Sequence, residues 1–292
     1  MVMIRSFCRK LFYLLGVISM GTLTLHAQYQ SYQARGEVGI SVGTAHYFGD
    51  LNPEGRLSPV HYSAGVYYQR YLNNYIGARI NINYVHLAAD DQDNTNPAYK
   101  QRQLNFTNNL LELSISGSFN FFNYAPGNEG HNFTPYVAVG IGGIYSAPYT
   151  FDDEGKKVKL REVGTEGQYS STPHDGQKYS NFTMVFPLSV GIKQALSEKL
   201  SLFAELGYRF TRSDYLDDVS STYAGVDAFA PGNYKGSASQ AAAALSLQDR
   251  HKGGSPRERG WQRGNSLAKD SYLLMQVGLS YNFGKCNCPL VF

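Results

Sequence analysis

Residues 200–211, Leu-Ser-Leu-Phe-Ala-Glu-Leu-Gly-Tyr-Arg-Phe-Thr, alternate between apolar and polar side chains along almost their whole length. The face formed by the even-numbered positions is wholly apolar, and Phe203 is the one large apolar residue on the other face. A period of two is typical of a β-strand whose two faces meet different surroundings. In a transmembrane barrel, the apolar face contacts lipid and the polar face lines the interior.

Seven further segments repeat this alternation. Each segment is long enough for a tilted spanning strand of ~9–11 residues, and an even number of strands is typical of bacterial barrels. The sequence therefore predicts an all-β fold, an eight-stranded antiparallel transmembrane β-barrel with short periplasmic turns and long extracellular loops. The predicted strands span residues 35–48, 60–71, 75–88, 108–122, 134–147, 182–195, 199–212 and 271–283.

The connections between these segments differ in length. Residues 72–74 and 196–199 are tight, and 123–133 is intermediate, whereas 49–59, 89–107, 148–181 and 213–270 are long. Outer-membrane barrels place short turns in the periplasm and long loops outside. This rule places both termini in the periplasm. Ala241 to Ala244, between Ser237 and Leu247, predict a short helix in the last loop.

The N-terminus has the order of a secretory signal. Arg5, Arg9 and Lys10 precede an apolar run from Leu11 to Leu25, and a small residue follows at position 27. The apolar run is shorter than the ~20 residues that a spanning helix needs. We therefore expect a signal peptide at residues 1–27 and a barrel domain at 28–292, of which 285–292 form a periplasmic tail.

Composition supports an exported barrel. The chain has 23 Tyr, 30 Gly and 16 Phe in 292 residues, and barrels use such residues in their aromatic girdles and crowded interiors. A formal net charge of +3 is too small to indicate nucleic acid as a partner. The expected partners of the barrel itself are outer-membrane lipid and the barrel assembly machinery, because Gln276–Phe283 resembles the C-terminal signal that this machinery reads.

Charged residues on the inward positions of the predicted strands need partners. An eight-stranded barrel is filled by its side chains, and an unpaired charge inside it is costly. We expect a mixed-sign network that closes the barrel and argues against a diffusion channel. Its predicted members are Glu37, Arg79, Glu112, Lys193, Glu205 and Arg209.

The sequence contains no motif that predicts a catalytic, cofactor or metal site. Gly39-Ile-Ser-Val-Gly43 matches a nucleophile pattern, but it lies within an alternating strand instead of at a strand-to-helix turn. Asp90, Asp91 and Asp93 resemble the start of a calcium loop that lacks the required Gly and distal Glu. We therefore predict no cofactor, no metal ligand and no catalytic residue.

Four polar stretches carry a resemblance to a known family. They are Gly39–Pro53, Gly164–Gln168, Ser213–Tyr223 and Arg263–Ser266, with the runs Tyr-Leu-Asp-Asp-Val-Ser and Gly-Thr-Glu-Gly as the most specific parts. Together they resemble the PorG family, outer-membrane barrels of the type IX secretion system of Bacteroidetes. The resemblance spans nearly the whole mature chain, but residues 228–260 match the family pattern poorly.

The resemblance implies a structural role beside the periplasmic ring of the lipoprotein PorK and its partner PorN, in export of proteins with C-terminal sorting domains. Two alternatives stay open. One is a small barrel enzyme acting on lipid or peptide, an acyltransferase or protease, for which His46, His86 and Asp214 are candidates near the outer rim. The other is a structural or adhesive barrel.

Two further segments are candidate sites of interaction or order. We expect Tyr215, Leu216, Asp217, Asp218 and Val219 to shape the outer rim without binding a metal or acting in catalysis. In a strand, the adjacent residues Asp217 and Asp218 would point to opposite faces, although a loop could allow them to bind one ion. Cys286 and Cys288 lie in the periplasmic tail. We expect either docking of this tail on a periplasmic partner, with a mixed disulfide, or an inert tail with an internal bond.

Overall fold

The computed structural model describes residues 33–251 and 255–285. Eight long strands form one closed antiparallel barrel, which confirms the predicted fold class, and two short strands form a hairpin beside it. The strands are β1 Gln33–Phe48, β2 His61–Tyr71, β3 Ile76–Asp90, β4 Asn105–Asn120, β5 Phe133–Tyr145, β6 Tyr149–Phe151, β7 Lys157–Lys159, β8 Phe182–Ala195, β9 Leu200–Thr211 and β10 Ser271–Lys285.

The first and last strands close the barrel. β1 pairs with β10 from Gln33 opposite Lys285 to Phe48 opposite Ser271. The hairpin β6–β7 pairs with the outer part of β4 at Thr107. β5 pairs with β8. Each of the eight barrel strands thus has a neighbour on both sides, and the barrel has no free sheet edge.

The outside of the barrel carries a continuous apolar band. Along β10, the outward side chains from Leu273 to Phe283 are apolar or aromatic. At ~3.3 Å per residue and a tilt of ~40°, this stretch covers about 25 Å along the barrel axis, which is the height of a lipid-facing band. Aromatic residues mark both borders, with Tyr84 and Phe210 at one and Phe121 and Tyr281 at the other. No helix within the described residues is long and apolar enough to cross a membrane.

The interior within this band is polar and filled. Ser, Asn and Gly alternate there with Tyr and with six charged residues that form three ion pairs. Phe203, the exception in the alternation of β9, packs edge-on against Tyr67 at a ring-centroid distance of 5.3 Å. It fits because position 278 opposite is Gly, where a Cβ would lie 2.5 Å from Cζ of Phe203.

At one end, the polarity of the strands is reversed. The last outward apolar pair on β3 and β4 is Tyr84 opposite Leu111, and the next outward pair is His86 opposite Asn109, which are hydrogen-bonded at 2.7 Å. From this level on, most inward residues, such as Val85 and Leu87, are apolar and fully buried, although Asn108 opposite Leu87 is polar. The barrel wall therefore continues beyond the band as the wall of a water-facing domain with an apolar core.

The long connections cover this end, and we call them the lid: residues 49–60, 91–104, 146–181, 212–251 and 255–270. The lid contains three α-helices, α1 Pro97–Arg102, α2 Leu160–Val163 and α3 Ala238–Gln248, and two 3₁₀ helices, Asp91–Asp93 and Val226–Phe229. The helix predicted near Ala241 is α3, and Ser237 caps it in a capping box with Gln240. The opposite end, which we call the turn end, holds the tight turns and both ends of the described chain.

Candidate functional site

The lid has a core of its own, to which both the strands and the loops contribute. Tyr47, Val85, Leu110, Ile144 and Leu274 enter it from the ends of five strands. Loop and helix residues such as Leu160, Leu216, Phe229 and Leu247 complete it. A buried polar cluster of carboxylates, guanidinium groups and tyrosines adjoins this apolar core, and it is the candidate functional site.

Glu166 is the centre of this cluster. Its carboxylate is fully buried and accepts hydrogen bonds from the backbone N–H groups of Ser220 and Ser221, from the Ser221 hydroxyl at 2.6 Å and from the Tyr215 hydroxyl at 3.3 Å. The Arg263 guanidinium pairs with it at 2.9 Å. Both oxygens of Glu166 are thus occupied by donors of the protein, which makes this carboxylate a cross-link between loops.

Two arginines extend the cluster. Arg263 also donates to the backbone carbonyls of Asp218 and Gln248. Arg102 pairs with Asp91 at 2.7 Å and donates to the carbonyls of Arg263 and Asp50. Each guanidinium has several donors in a fixed plane, which suits it to join several acceptors at once. The two side chains therefore hold all five segments of the lid together.

Asp217 and Asp270 share the Tyr47 hydroxyl, whose oxygen lies 2.6 Å from Oδ2 of Asp217 and 2.9 Å from Oδ1 of Asp270. A hydroxyl has one proton to donate. The second contact therefore needs a proton on one of the two carboxyl groups. Burial raises the pKa of both groups well above the usual Asp range, and the neighbouring carboxylates, including Asp50, raise it further. This is consistent with one shared proton in addition to that of Tyr47.

Asp218 adopts a left-handed backbone conformation with φ of +66°. Its carboxylate accepts hydrogen bonds from the hydroxyls of Thr165 and Tyr179, both at 2.5 Å. Burial raises the pKa of Asp218 to about 6, although Arg263 opposes this shift. Tyr179 in turn stacks on Tyr215 at a ring-centroid distance of 4.5 Å. The side chain is thus held within the lid.

Asp50 and the segment at 264–265 form a further contact. Both carboxylate oxygens of Asp50 accept the backbone N–H of Asn265, at 3.0 and 2.9 Å. Burial is the largest cause that raises the pKa of Asp50 to about 6, and the Asn265 N–H opposes it. The loop after β1 is thereby tied to the segment before β10.

The predicted interior charges lie inside the barrel and pair across it. Arg79 pairs with Glu205 at 2.6 Å, Arg209 with Glu112 at 3.4 Å, and Lys193 with Glu37. Each carboxylate also accepts a tyrosine hydroxyl: Tyr136 donates to Glu205, Tyr272 to Glu112 and Tyr67 to Glu37. Hydrogen-bonded ion pairs of this kind hold their charges in place and close the lumen.

The segment Tyr215–Val219 lies inside the lid, where all five residues are buried. It belongs to the predicted long connection 213–270 and is a loop, so a strand does not hold its two aspartates on opposite faces. The two carboxylates nevertheless point to different partners, Tyr47 for Asp217 and Thr165 for Asp218. Cys286 and Cys288 and the predicted signal peptide lie outside the described residues.

Within the described residues, the three candidate catalytic residues, His46, His86 and Asp214, are not hydrogen-bonded to one another. The His46 imidazole contacts the Thr44 hydroxyl at 3.0 Å, and the His86 imidazole contacts Asn109. Asp214 accepts the Ser220 hydroxyl at 2.5 Å and has Lys269 at 3.7 Å. No hydrogen bond within the described residues links Asp214 to either histidine. No group of three or more His, Cys, Asp or Glu side chains in the described part is arranged to hold a metal ion.

A family model described as "Domain of unknown function (DUF6089)" matches residues 10–239. The chain is also similar to Neisserial surface protein A (NspA), with 10% identity, 85% of this chain and 97% of that chain covered, and a TM-score of 0.40. For OprG from Pseudomonas aeruginosa, the identity is 10%, the coverage 88% and 100%, and the TM-score 0.37. All these TM-scores lie below 0.5, a level at which a likeness says nothing about function. No curated protein matches the chain.

Proposed function

The chain belongs to the DUF6089 family, and we propose that this member is a non-enzymatic barrel of the bacterial outer membrane that serves type IX protein secretion. The apolar exterior band supports the location, since a closed barrel with this exterior buries its apolar surface only in lipid. The turn end, with both chain ends, faces the periplasm, and the lid faces outward, in the usual arrangement of such barrels.

The observation that carries the secretion role is that the four stretches resembling the PorG family meet in one cluster. Asp50, from the first stretch, accepts the N–H of Asn265, from the fourth. Glu166, from the second, accepts the N–H groups of Ser220 and Ser221, from the third. The resemblance therefore rests on residues that form one structural unit, which supports a relationship in fold and role across the whole lid.

The chemistry of this unit supports a structural role. The carboxylates of Glu166, Asp217 and Asp218 each accept hydrogen bonds at both oxygens from donors of the protein itself. All three side chains are buried. A general acid or base must come within hydrogen-bond reach of its substrate, and these groups are enclosed instead. They hold the lid in one shape, whereas a catalytic group has to be accessible to its substrate.

The proposed partners lie on the periplasmic side. By resemblance, they are PorK and PorN, which form the ring beside which such a barrel is thought to sit. The face available to them is the turn end, where Leu72, Phe122 and Leu196 are exposed beside tight turns. The tail that carries Cys286 and Cys288 continues from the same end.

The test is deletion of the gene in its natural host, followed by measurement of cargo proteins with C-terminal sorting domains in the medium. We expect the cargo to accumulate inside the cell envelope and secretion to return with the wild-type gene. Affinity purification of the tagged barrel should recover PorK and PorN. Normal secretion in the deletion strain would exclude the proposed role while leaving the barrel fold unaffected.

A further inference from the structure

The outward face of β8, β9 and β10 changes character at the lid end of the apolar band. Phe186 is paired with Phe210, which is the last outward apolar residue of β9 and lies opposite Ser271 of β10. The next outward position after Phe210 is Arg212, and Lys269 lies two residues before Ser271. Both cationic side chains are exposed. Arg212 thus lies beyond the exposed Phe210 side chain, and Lys269 lies beyond Ser271, at the lid end of the apolar band.

A cleft of about 470 Å³ opens in the lid beside these cations. Apart from Arg212 and Lys269, its walls carry the hydroxyl groups of Ser180, Thr183, Ser213 and Ser266. Phe182, which is 64% exposed, borders it at the lid end of β8. Hydroxyl and cationic donors around one cleft are the groups that bind phosphate oxygens.

The charges in the cleft are not cancelled by strong ion pairs. The Lys269 ammonium lies 3.7 Å from Oδ2 of Asp214 and its side chain is half exposed, while Asp214 itself is buried and accepts the Ser220 hydroxyl. The other carboxylate of the cleft, Asp175, accepts the Thr222 hydroxyl at 2.8 Å. Arg212 makes one side-chain contact within the described residues, to the sulfur of Met184 at 4.0 Å. Its guanidinium therefore has donors to spare.

An apolar groove of about 520 Å³ lies on the same three strands, nearer the middle of the band. It arises because Ala204 stands between two larger residues, Ile192 on β8 and Val277 on β10. Val190, Leu206 and Met275 form its other walls. Such a groove exposes more apolar surface than a flat wall and so has room for a hydrocarbon chain.

We propose that this face binds a lipid with a net negative, phosphate-bearing headgroup from the adjoining leaflet. Arg212, Lys269 and the neighbouring hydroxyls hold the phosphate, and the groove at Ala204 receives an acyl chain. Arg212 and Ala204 are separated by eight residues of a tilted strand, which is about 20 Å along the barrel axis. This depth is close to that of one leaflet with its headgroups, which is half of a bilayer of ~40–45 Å. The inference rests on the membrane-spanning barrel and is independent of the secretion role.

The test uses the purified protein in a neutral detergent, with bound lipid counted by native mass spectrometry. Phosphatidylglycerol and phosphatidylcholine with identical acyl chains are added separately. We expect phosphatidylglycerol to bind about tenfold more tightly. This preference should disappear in the double variant Arg212→Gln/Lys269→Gln. The matched control Lys156→Gln/Lys157→Gln removes the same charge from the exposed β6–β7 hairpin and should keep the preference.

A second variant tests the groove. Ala204→Leu fills it from the lipid side, so we expect phosphatidylglycerol to bind several-fold more weakly while the preference over phosphatidylcholine persists. A gel with and without boiling verifies that each variant is folded. Equal binding of the two lipids to the wild-type protein, or an unchanged preference in the Arg212 and Lys269 variant, would overturn the headgroup site. Equally effective competition by soluble glycerol phosphate, or unchanged binding by Ala204→Leu, would overturn the acyl groove.

Discussion

Glu166 and Arg263 lie 97 residues apart in the sequence, yet Oε1 of the glutamate and Nη1 of the arginine are 2.9 Å apart inside the lid. Each of the two residues is also bonded to the loop after β9, Glu166 through Ser220 and Arg263 through the carbonyl of Asp218. This pair therefore joins the two longest parts of the lid, and the integrity of the lid should depend on it.

Replacement Glu166→Gln should loosen the lid without opening the barrel. The guanidinium of Arg263 would remain buried without its countercharge, at a cost of ~3–5 kcal/mol for a broken buried pair. Trp261 is the only tryptophan and lies in the lid, so its fluorescence in a urea titration measures lid unfolding. The exposed pair of Lys159 and Glu162 provides the control, since Glu162→Gln should leave the titration unchanged. An unaltered lid transition in Glu166→Gln would contradict this account.

Gly49→Ala should also destabilise the lid. A Cβ at this position would lie 2.0 Å from both the Tyr47 hydroxyl and Oδ1 of Asp270, in the middle of the shared-proton contact. The methyl group would separate the two residues, leave buried polar atoms without partners and cost ~1–3 kcal/mol for each of them. Gly117→Ala is the matched control, because no atom lies within 4 Å of the added methyl group. Equal lid stability of the two variants would show that the contact is unimportant.

The lid should become more stable on acidification. The pKa of Asp218 is raised from 3.8 to about 6 in the folded protein, so the folded lid binds more protons than the unfolded lid between about pH 4 and 6. Its stabilising effect is complete below the unfolded pKa and is lost as the pH rises through 6. For Asp218 alone, the loss is about 3 kcal/mol, at 1.36 kcal/mol per pH unit. Asp217 and Asp270, whose pKa values are also raised, act in the same direction.

Urea titrations of the lid at several pH values between 4 and 7 measure this dependence. Asp218→Asn has no proton to lose and should reduce the slope, with the remainder due to Asp217, Asp270 and Asp50. Greater lid stability at pH 7 than at pH 5 in the wild-type protein would be the opposite of the expected pH dependence. It would show that the buried carboxyl groups are not protonated in the folded lid.

The ion pair of Arg79 and Glu205 should stabilise the barrel itself. Arg79→Met leaves Glu205 as a buried charge with the Tyr136 hydroxyl as its remaining close donor. The free energy of unfolding should fall by ~3–5 kcal/mol. The double variant Arg79→Met/Glu205→Met removes both charges and should recover most of that loss. Barrel unfolding in urea is followed by the difference in gel mobility with and without boiling, and additive effects of the two substitutions would argue against coupling.

The C-terminal tail offers a test of partner contact. If the tail docks on a ring protein, Cys286→Ser/Cys288→Ser should leave insertion intact but reduce recovery of PorK with the barrel. On non-reducing gels, a covalent complex should appear as a higher band that is absent from the Ser variant. Unchanged insertion, ring recovery and secretion would assign the tail no such role.

The sequence predicted the barrel well because alternation reports the two surroundings of a strand directly. It did not predict the reversal of polarity at the lid end. At Tyr84-Val85 and at Leu110-Leu111, an outward and an inward apolar residue are adjacent, so both patterns meet in one short apolar run. Such a run does not show which residue faces lipid and which faces the lid core.

The cluster in the lid could be predicted only in part. Asp91 belongs to a run of acidic residues that resembles a calcium loop, and its actual partner, Arg102, follows eleven residues later, as the last residue of α1. Glu166 and Arg263 both occur in the stretches on which the resemblance to the PorG family rests, but nothing local relates one to the other. Pairings across such long connections depend on barrel closure, which the sequence pattern of a single segment does not describe.

The shared core of lid and wall also sets an order of folding. Tyr47, Val85, Ile144 and Leu274 come from strands that are brought side by side only when the sheet has closed. Until then, the lid segments have no apolar surface against which to collapse, so with the lid facing outward, as we propose, they would cross the membrane as unfolded chain. We therefore expect barrel closure to come first and the lid to fold afterwards on the far side, where its formation would oppose any return of the loops through the bilayer.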